Sequence, residues 1–295
     1  MSYRSREQIL QDFKSLCTTH SAAYETVGKT VENRDIILFK IGNPNGGRLL
    51  IDASIHGNEY ATSEILYYYL DWLLTSNEPA ALNILNRNYT LLIPLLNVDR
   101  YRQTRKNANG VDLNRNFPVG WCQFTGYGGS TDPNHDNYKG PSGLSEPEAR
   151  TLHNVFNTYH PEWYVNMHTG DNRLTPPWAY TSTPPPDRNY HQQVYNKIVA
   201  LSNQRGVSSY PWITSSGLGG CARDEGYDRG AHSFTLEVDA RWPPPYNEIV
   251  SVLTPRFIVI AVVLSQEIAI QPPPQPTPSL GLLALTALSL FILTG

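Results

Sequence analysis

Short apolar runs alternate with segments of helical periodicity along this chain, and this alternation constrains the fold more than any other sequence feature. Runs such as "RLLIDASI" and "WYVNM" are typical of buried strands, whereas "EYATSEILYYYLDWLLTS" has apolar residues at helical spacing. Strands that alternate with helices usually lie parallel in one sheet, because a parallel connection needs a crossover segment. The sequence therefore predicts an α/β fold with a largely parallel sheet.

The same patterns locate the individual elements. The strand candidates are "DIILFKI", "RLLIDASI", "YTLLIPLL", "WYVNM" and "SFTLEV". Three further helix candidates are "SEPEARTLHNVFNTY", "RNYHQQVYNKIVALSNQ" and "NEIVSVLTPRFIVIAVVLSQEIA". Ser145, with Glu148 three residues later, predicts a capping box at the start of the first of these helices. Pro255 is expected to interrupt the last one.

Composition narrows the class of protein. The 295 residues are 40% apolar and 17% charged, which is enough to bury one large core. Because this mixture is even up to about residue 270, we predict a single domain over residues 1–270. The formal net charge of −3 shows no excess of base and argues against nucleic-acid binding. The three cysteines lie far apart, so we predict neither a disulfide framework nor a thiolate metal site.

The C-terminal end has a different composition. Residues 271–279, "QPPPQPTPS", predict a Pro-rich linker, and residues 280–295 form an apolar tail without charge. The tail is shorter than the roughly twenty residues of a membrane span but has the order of a C-terminal sorting or anchoring signal. We expect attachment to a membrane or the cell surface, with docking of the tail on the protein itself as the alternative. The tail favours an extracellular or cell-surface location, although the start, "MSYRSREQIL", lacks the apolar segment of a secretory signal, which counts against it.

Reactive polar side chains follow four of the predicted strands. These residues are His56, Asn97, His168 and Glu237. Parallel strands bring their carboxyl ends to one edge of the sheet, and open α/β sheets bind ligands at that edge. The sequence therefore predicts a functional site there.

Three of the residues near that edge suit a metal ion. His56, Glu59 and His168 offer two nitrogens and a carboxylate, a set that zinc prefers, and three protein ligands leave a fourth position for water. A lone H-x-x-E pattern is common by chance, and a single histidine such as His168 often belongs to a core. Their joint placement at strand ends favours a catalytic zinc site over these alternatives.

Glu237 and a basic stretch add charge to the predicted site. A glutamate in the apolar strand "SFTLEV" is costly unless it is functional or forms a buried ion pair, for which Arg241 and Arg223 are the candidates. The stretch from Asn97 to Arg115 holds five Arg or Lys residues. One interpretation of this stretch is a solvated basic loop without a function. However, Asn114 and Arg115 lie within an apolar frame, and an arginine held in this way can bind a carboxylate through two hydrogen bonds.

Taken in order, "HGNE", "TRKN", "GVDLNRNF", "YKGPSGLSEPEA", "MHTG" and "SFTLEVD" resemble the zinc metallocarboxypeptidase family of the carboxypeptidase A type. The resemblance extends from about Arg6 to Ile270. It implies a mixed, mostly parallel eight-stranded sheet with helices on both faces and one zinc ion per chain. It also implies hydrolysis of the C-terminal peptide bond of peptides. We expect a monomer with no activation pro-domain before the matched region.

The resemblance also implies a role for each matched residue. The implied zinc ligands are His56, Glu59 and His168. Glu237 is implied as the general base that activates the zinc-bound water and as the acid that protonates the leaving amine.

On the substrate side, the resemblance implies that Arg105 polarises the scissile carbonyl and stabilises the oxyanion; Arg102 is the weaker candidate. Asn114 and Arg115 are implied to hold the terminal carboxylate of the substrate.

Two positions depart from the family pattern. Where digestive members have a tyrosine that closes over the substrate, this chain has Ser215 or Ser216, and Tyr210 is the nearest replacement. In the segment that would line the side-chain pocket, Arg223 would favour an acidic or otherwise anionic terminal residue. The alternative for Arg223 is an ion pair at the surface with a neighbouring carboxylate.

Three other functions stay open from the sequence. The first is a peptidoglycan endopeptidase of the same family that cuts γ-D-glutamyl-diaminopimelate bonds. The second is a deacylase of the aspartoacylase type, and the third is a non-catalytic binding module. The complete set of site residues argues against the binding module, and "TRKN", "GVDLNRNF" and "SEPEA" favour the peptidase over the deacylase.

Overall fold

A computed structural model describes residues 2–268. The predicted linker and apolar tail lie outside the described residues. The strands are β1 Ala23–Lys29, β2 Asp35–Gly42, β3 Gly47–Asp52, β4 Asn88–Ile93, β5 Trp163–His168, β6 Asp171–Thr175 and β7 His232–Asp239. The α-helices are α1 Arg6–Thr19, α2 Ala61–Thr75, α3 Pro79–Arg87, α4 Pro147–Tyr159, α5 Arg188–Arg205, α6 Ala222–Asp228, α7 Tyr246–Glu248 and α8 Thr254–Glu267. Short 3₁₀ turns span Leu113–Arg115 and Gly126–Gly128.

The strands form one mixed sheet in the order β1-β2-β4-β3-β5-β7-β6. The four central strands, β4, β3, β5 and β7, run parallel to one another, while β1, β2 and β6 add antiparallel edges. Every residue of β5 is buried, as expected for a strand covered on both faces. The predicted α/β fold with a mixed sheet is confirmed.

The sheet in the described residues has seven strands instead of the eight implied by the resemblance. A segment beside β6 comes close to forming a further strand. Leu174 accepts a hydrogen bond from Ile213 and donates one to the Pro211 carbonyl, but only an isolated bridge to Trp212 results. Because proline has no N–H, Pro211 cannot extend the ladder, and the segment stays irregular.

The long apolar segment near residue 250 forms a core helix. Tyr246–Glu267 has 22 residues and a mean hydropathy of 1.9, which by length and composition alone would suffice to cross a membrane. However, 72% of its most apolar stretch is buried within the protein, and α8 packs against α2, α3 and α5. The expected interruption is a π-helical turn at Ile249–Leu253, after which Pro255 occupies the first turn of α8, where a missing N–H is tolerated.

The predicted capping box of α4 is wrong. The N-cap residue is Glu146, and in the described structure its side chain makes no capping hydrogen bond. Pro147 begins the helix instead, at a position that needs no N–H donor. The carboxylates of Glu146 and Glu148 both accept hydrogen bonds from the amide of Asn107, at 2.8 and 3.1 Å. These carboxylates therefore anchor the basic loop that follows β4.

Candidate active site

The parallel strands carry the predicted residues to one cavity at the carboxyl edge of the sheet. The cavity has a volume of about 750 Å³. Its lining includes most of the residues that the sequence predicted for the site: His56, Glu59, Arg105, Asn114, Arg115, His168, Arg223 and Glu237. Asn97 does not line the cavity; its side chain holds the loop by donating to the Arg105 carbonyl at 3.3 Å.

Two histidines and one glutamate converge in the floor of this cavity. His56 and Glu59 lie in the turn between β3 and α2, and His168 is the last residue of β5. The Nδ1 atom of His56 lies 2.7 Å from Glu59 Oε1, and Nδ1 of His168 lies 2.8 Å from Oε2. All three side chains are buried, so one carboxylate joins two imidazoles within reach of a single ion.

A further set of polar groups orients the two rings, and the sequence analysis missed it. Asp112 Oδ1 lies 2.9 Å from Nε2 of His56, and Asn166 Oδ1 lies 2.5 Å from Nε2 of His168. Each ring is therefore held through its Nε2 atom, and its Nδ1 atom faces Glu59. Such outer partners fix ring orientation at metal sites. Asn166 could have been found, because it stands two residues before His168 and so on the same face of β5.

The residues present fit zinc. Imidazole nitrogens and a carboxylate oxygen are its preferred donors, and three protein ligands leave one position open. Burial raises the pKa of Glu59, but the imidazoles of His56 and His168 outweigh it and hold that pKa well below its usual range. Burial likewise raises the pKa of Asp112, and Arg105 and His56 outweigh it. Both carboxylates therefore stay ionised, as a bound cation requires.

Arg105 lies against this cluster because its loop passes close to Gly57. Gly57 donates to the Arg105 carbonyl at 3.3 Å, and a Cβ at Gly57 would lie 2.2 Å from the Arg100 carbonyl oxygen. The guanidinium donates to Asp112 Oδ2 at 2.8 Å, and its Nη1 lies 3.2 Å from Nδ1 of His56. Arg102 instead donates to the Tyr3 carbonyl at 2.8 Å and stacks over a tyrosine ring. Arg105, and not Arg102, therefore lies in the cavity beside the cluster.

Glu237 reaches the same cavity from the neighbouring strand. It pairs in register with His168 across β5 and β7. Among the described residues its Oε2 atom has no hydrogen-bond partner, while the alternative ion-pair candidates bind elsewhere: Arg241 pairs with Asp239, and Arg223 with Asp224. Burial raises the pKa of Glu237 to about 7, opposed by His168. A carboxylate whose pKa is near neutrality is suited to accept and return a proton.

Asn114 and Arg115 form the wall on the other side of the cavity. Both are in the 3₁₀ turn after Asp112. The carboxylate of Asp112 accepts a hydrogen bond from the backbone N–H of Asn114 at 2.9 Å. Arg115 is 7% exposed, and within residues 2–268 its Nε atom has no hydrogen-bond partner. Its Nη1 donates to the Asn114 carbonyl at 2.8 Å. A guanidinium held this way keeps donors for an anionic ligand.

Arg223 is buried and lines the cavity instead of pairing at the surface. Its exposed fraction is 3%, and it donates to Ser215 Oγ at 3.0 Å and to the Thr175 carbonyl at 3.3 Å. Its contact with Asp224 is longer, at 3.4 Å, because that carboxylate accepts from the backbone amide of Ala179 at 2.7 Å. The alternative for Arg223 is therefore correct in its ion pair with Asp224 but wrong in its location, because both side chains are buried.

Of the two serines predicted at the position of the missing lid tyrosine, Ser215 lines the cavity. Tyr210 does not replace the tyrosine, because it is buried with its ring 3.6 Å from the guanidinium carbon of Arg256. A loop that the sequence analysis did not assign to the site, residues 134–137, forms part of the cavity rim.

Comparison with known proteins agrees with this geometry. The family model described as zinc carboxypeptidase matches residues 7–253. Carboxypeptidase A6 of Homo sapiens is 29% identical over 264 residues, covering 80% of this chain and 60% of the relative. Mast cell carboxypeptidase A of Homo sapiens is 27% identical over 72% of this chain and 56% of the relative. The chain thus spans less than two thirds of the length of these curated relatives.

Among solved structures, bovine thrombin-activatable fibrinolysis inhibitor in complex with tick carboxypeptidase inhibitor superposes with a TM-score of 0.79. The identity is 22%, and the match covers 91% of this chain and 98% of the other. This likeness shows the shared fold.

Proposed function

This chain belongs to the zinc carboxypeptidase family, and we propose that it is a zinc-dependent metallocarboxypeptidase that hydrolyses the C-terminal peptide bond of peptides. The observation that carries the proposal is the single cavity in which a buried metal-binding cluster, a carboxylate and buried arginines meet. Zinc is the cofactor of this family, and His56, Glu59 and His168 would hold it. When bound, zinc supplies a Lewis acid that polarises a carbonyl and acidifies a water molecule.

Arg115 binds the terminal carboxylate of the substrate in this proposal. A buried guanidinium with a free Nε donor forms strong, charge-assisted hydrogen bonds with a carboxylate and gains little from a neutral amide. Asn114, adjacent in the same turn, contributes the second side chain that borders the chain end. The enzyme would therefore require a free C-terminus and act as an exopeptidase.

In the proposed reaction, Glu237 transfers the proton and Arg105 stabilises the developing negative charge. Glu237 takes a proton from the attacking water and delivers it to the leaving amine, a role that its pKa of about 7 supports. Arg105 lies beside the cluster and is fixed by Asp112, so its guanidinium is preorganised for the oxyanion that develops on the scissile carbonyl.

Arg223 would set a preference for acidic or otherwise anionic C-terminal residues. It is buried, lines the cavity, and keeps only a long contact with its neighbouring carboxylate. Arg173, on β6, lines the same cavity but pairs with Asp171 at 3.2 Å. An anionic side chain would be attracted to Arg223, whereas a basic one would be repelled by it.

The test is mass spectrometry of a peptide mixture incubated with the protein. Half the peptides have free C-termini and half have amidated ones, with acidic, basic, aromatic and aliphatic last residues, each with and without a zinc chelator. The proposal predicts chelator-sensitive loss of single residues from free ends only. Release from amidated peptides, or no release by zinc-loaded protein, would overturn it. Peptidoglycan fragments and N-acyl amino acids in parallel samples would then identify an endopeptidase or a deacylase.

The side-chain preference has its own test with Arg223→Leu. We expect the ratio of kcat/KM for acidic over aliphatic last residues to fall at least tenfold, while aliphatic peptides are cleaved at the unchanged rate. Arg229→Leu is the matched control, because Arg229 pairs with Glu225 and Asp228 outside the cavity lining. An unaltered ratio in Arg223→Leu would contradict the acidic preference without affecting the proposed reaction.

A further inference from the structure

A second cluster of metal-binding side chains lies at the opposite edge of the sheet. Asp187 directly precedes α5, His191 lies in the first turn of that helix, and His232 is the first residue of β7. His232 pairs in register with Trp163 at the start of β5, so this cluster lies at the amino ends of the strands whose carboxyl ends form the active site. It shares no residue with the catalytic cavity.

The two imidazole rings approach the same carboxylate oxygen of Asp187. Asp187 Oδ2 lies 2.8 Å from Nδ1 of His232 and 3.4 Å from Nδ1 of His191. The two imidazoles are buried, and the carboxylate is 21% exposed, which gives an ion a path from solvent. The i, i+4 spacing of Asp187 and His191 places both on one face of α5. The set of donors is the same as in the active site: two imidazoles and one carboxylate.

The carboxylate of Asp187 is directed at the histidines and not at its own helix. An aspartate in this N-cap position usually accepts a hydrogen bond from an amide of the first turn. In the described structure the Asp187 side chain makes no such bond and instead accepts from the Tyr227 hydroxyl. The carboxylate of Asp187 therefore faces two buried rings.

His191 lacks good hydrogen bonds in this network. Its ring is 0% exposed, its Nδ1 reaches the Asp187 carbonyl only at 3.4 Å, and Nε2 has no partner in the part of the chain that the structure describes. Buried polar rings normally have hydrogen-bond partners, and 3.4 Å is long for such a bond. Trp163 and Phe234 pack against the ring and close off alternatives. A metal ion on Nδ1 would supply the missing strong interaction.

We propose that Asp187, His191 and His232 form a second metal site, which takes Zn²⁺ or a related divalent transition metal. Imidazole and carboxylate donors suit these ions, and the Tyr227 hydroxyl on Asp187 acts as the outer partner that orients the carboxylate. Trp163, Tyr190 and Phe234 pack against the two histidine rings, so we assign the ion a structural role. It ties the start of α5 to the start of β7.

The test is the stoichiometry of Co²⁺ and Zn²⁺ bound by the full chain after metal removal, measured against a weak competing chelator. We expect two equivalents for the natural sequence and one for His56→Ala/His168→Ala, which keeps only the second site. Asp187→Asn/His232→Gln should also bind one equivalent. His153→Gln is the matched control and should retain two, since His153 pairs with Glu225 outside both clusters.

The second site would be overturned if the natural sequence bound one equivalent of metal and Asp187→Asn/His232→Gln bound the same amount. The three residues would then form only a hydrogen-bonded His–Asp–His network. This outcome does not affect the proposed peptidase, whose failure would appear as missing peptide cleavage. Circular dichroism verifies folding of each variant. If the variant without active-site ligands does not fold, the natural sequence and the Asp187→Asn/His232→Gln variant still decide the question.

Discussion

The two edges of the central sheet carry the same three donors in very different surroundings. At the carboxyl edge, His56, Glu59 and His168 lie in the floor of a cavity of about 750 Å³. At the amino edge, Asp187, His191 and His232 are packed among aromatic rings.

The difference lies in what surrounds each cluster. Within the same cavity, the carboxyl-edge cluster has the guanidinium of Arg105, from the loop after β4, and the carboxylate of Glu237, from β7. Among the described residues Oε2 of Glu237 has no hydrogen-bond partner. The amino-edge cluster has Tyr227 on its carboxylate and tryptophan beside its rings. We therefore expect catalysis only at the carboxyl edge, where a carboxylate, a guanidinium and an accessible volume accompany the proposed metal ligands.

The largest expected effect follows from removal of the base. Glu237→Gln should lower kcat/KM by about 10²–10⁴-fold, because general acid–base catalysis contributes this much. Zinc content should stay unchanged, since Glu237 is outside the metal-binding cluster. Glu248→Gln, which alters a carboxylate paired with Arg241 outside the cavity, is the control. A loss below tenfold would remove Glu237 from the mechanism.

Removal of the cavity cation should have the next largest effect. Arg105→Gln is expected to lower kcat by about 10²–10³-fold, as for other oxyanion stabilisers. Steady-state kinetics with one good peptide measures it, with Arg102→Gln as the control because that side chain stacks on Tyr60. Equal effects of the two substitutions would show that neither guanidinium acts on the oxyanion.

A smaller effect is expected from the group that orients His56. Asp112→Asn should weaken zinc binding by about 10–100-fold, because outer partners of metal-bound histidines contribute this much. Competition with a fluorescent chelator measures the affinity. Unchanged affinity would show that the 2.9 Å contact between Asp112 and His56 does not tune the site.

The smallest catalytic effect is expected at the amino edge. Asp187→Asn should leave kcat/KM within about twofold while it lowers the thermal midpoint in the presence of zinc. A loss of 1 kcal/mol corresponds to about 2–4 °C in a domain of this size. Differential scanning fluorimetry with and without zinc measures it, and a zinc-independent shift of the same size would contradict a metal at that edge.

The sequence located the candidate site better than the periphery of the fold. The central strands were found because they are continuous apolar runs, and His56, His168 and Glu237 at their carboxyl ends line one cavity. By contrast, β1 has a mostly exposed pattern and β6 is short and polar, so neither gives an apolar signal. The capping box at Ser145 failed because the nearby carboxylates hold Asn107 in a tertiary contact that no local pattern reveals.

The groups missed at both edges share one physical cause. Asp112 and Asn166 matter only through the ring nitrogens that they contact across the fold. Likewise, Asp187 and His191 look like ordinary residues at a helix start until β7 brings His232 beside them. Sequence spacing identifies donors that a single turn or parallel strand ends bring together, whereas side chains paired by packing of a helix on a sheet need the structure.

The most direct measurement follows peptide cleavage while zinc is returned stepwise to metal-depleted Asp187→Asn/His232→Gln protein. The substrates are one peptide with a free C-terminus and the same peptide with an amidated one. Cleavage of the free peptide should rise linearly and reach its full rate at one equivalent of zinc, whereas the amidated peptide should not be cleaved. Cleavage of both peptides would contradict the proposed requirement for a free C-terminus. A full rate reached without zinc would contradict the assignment of peptidase chemistry to the carboxyl edge.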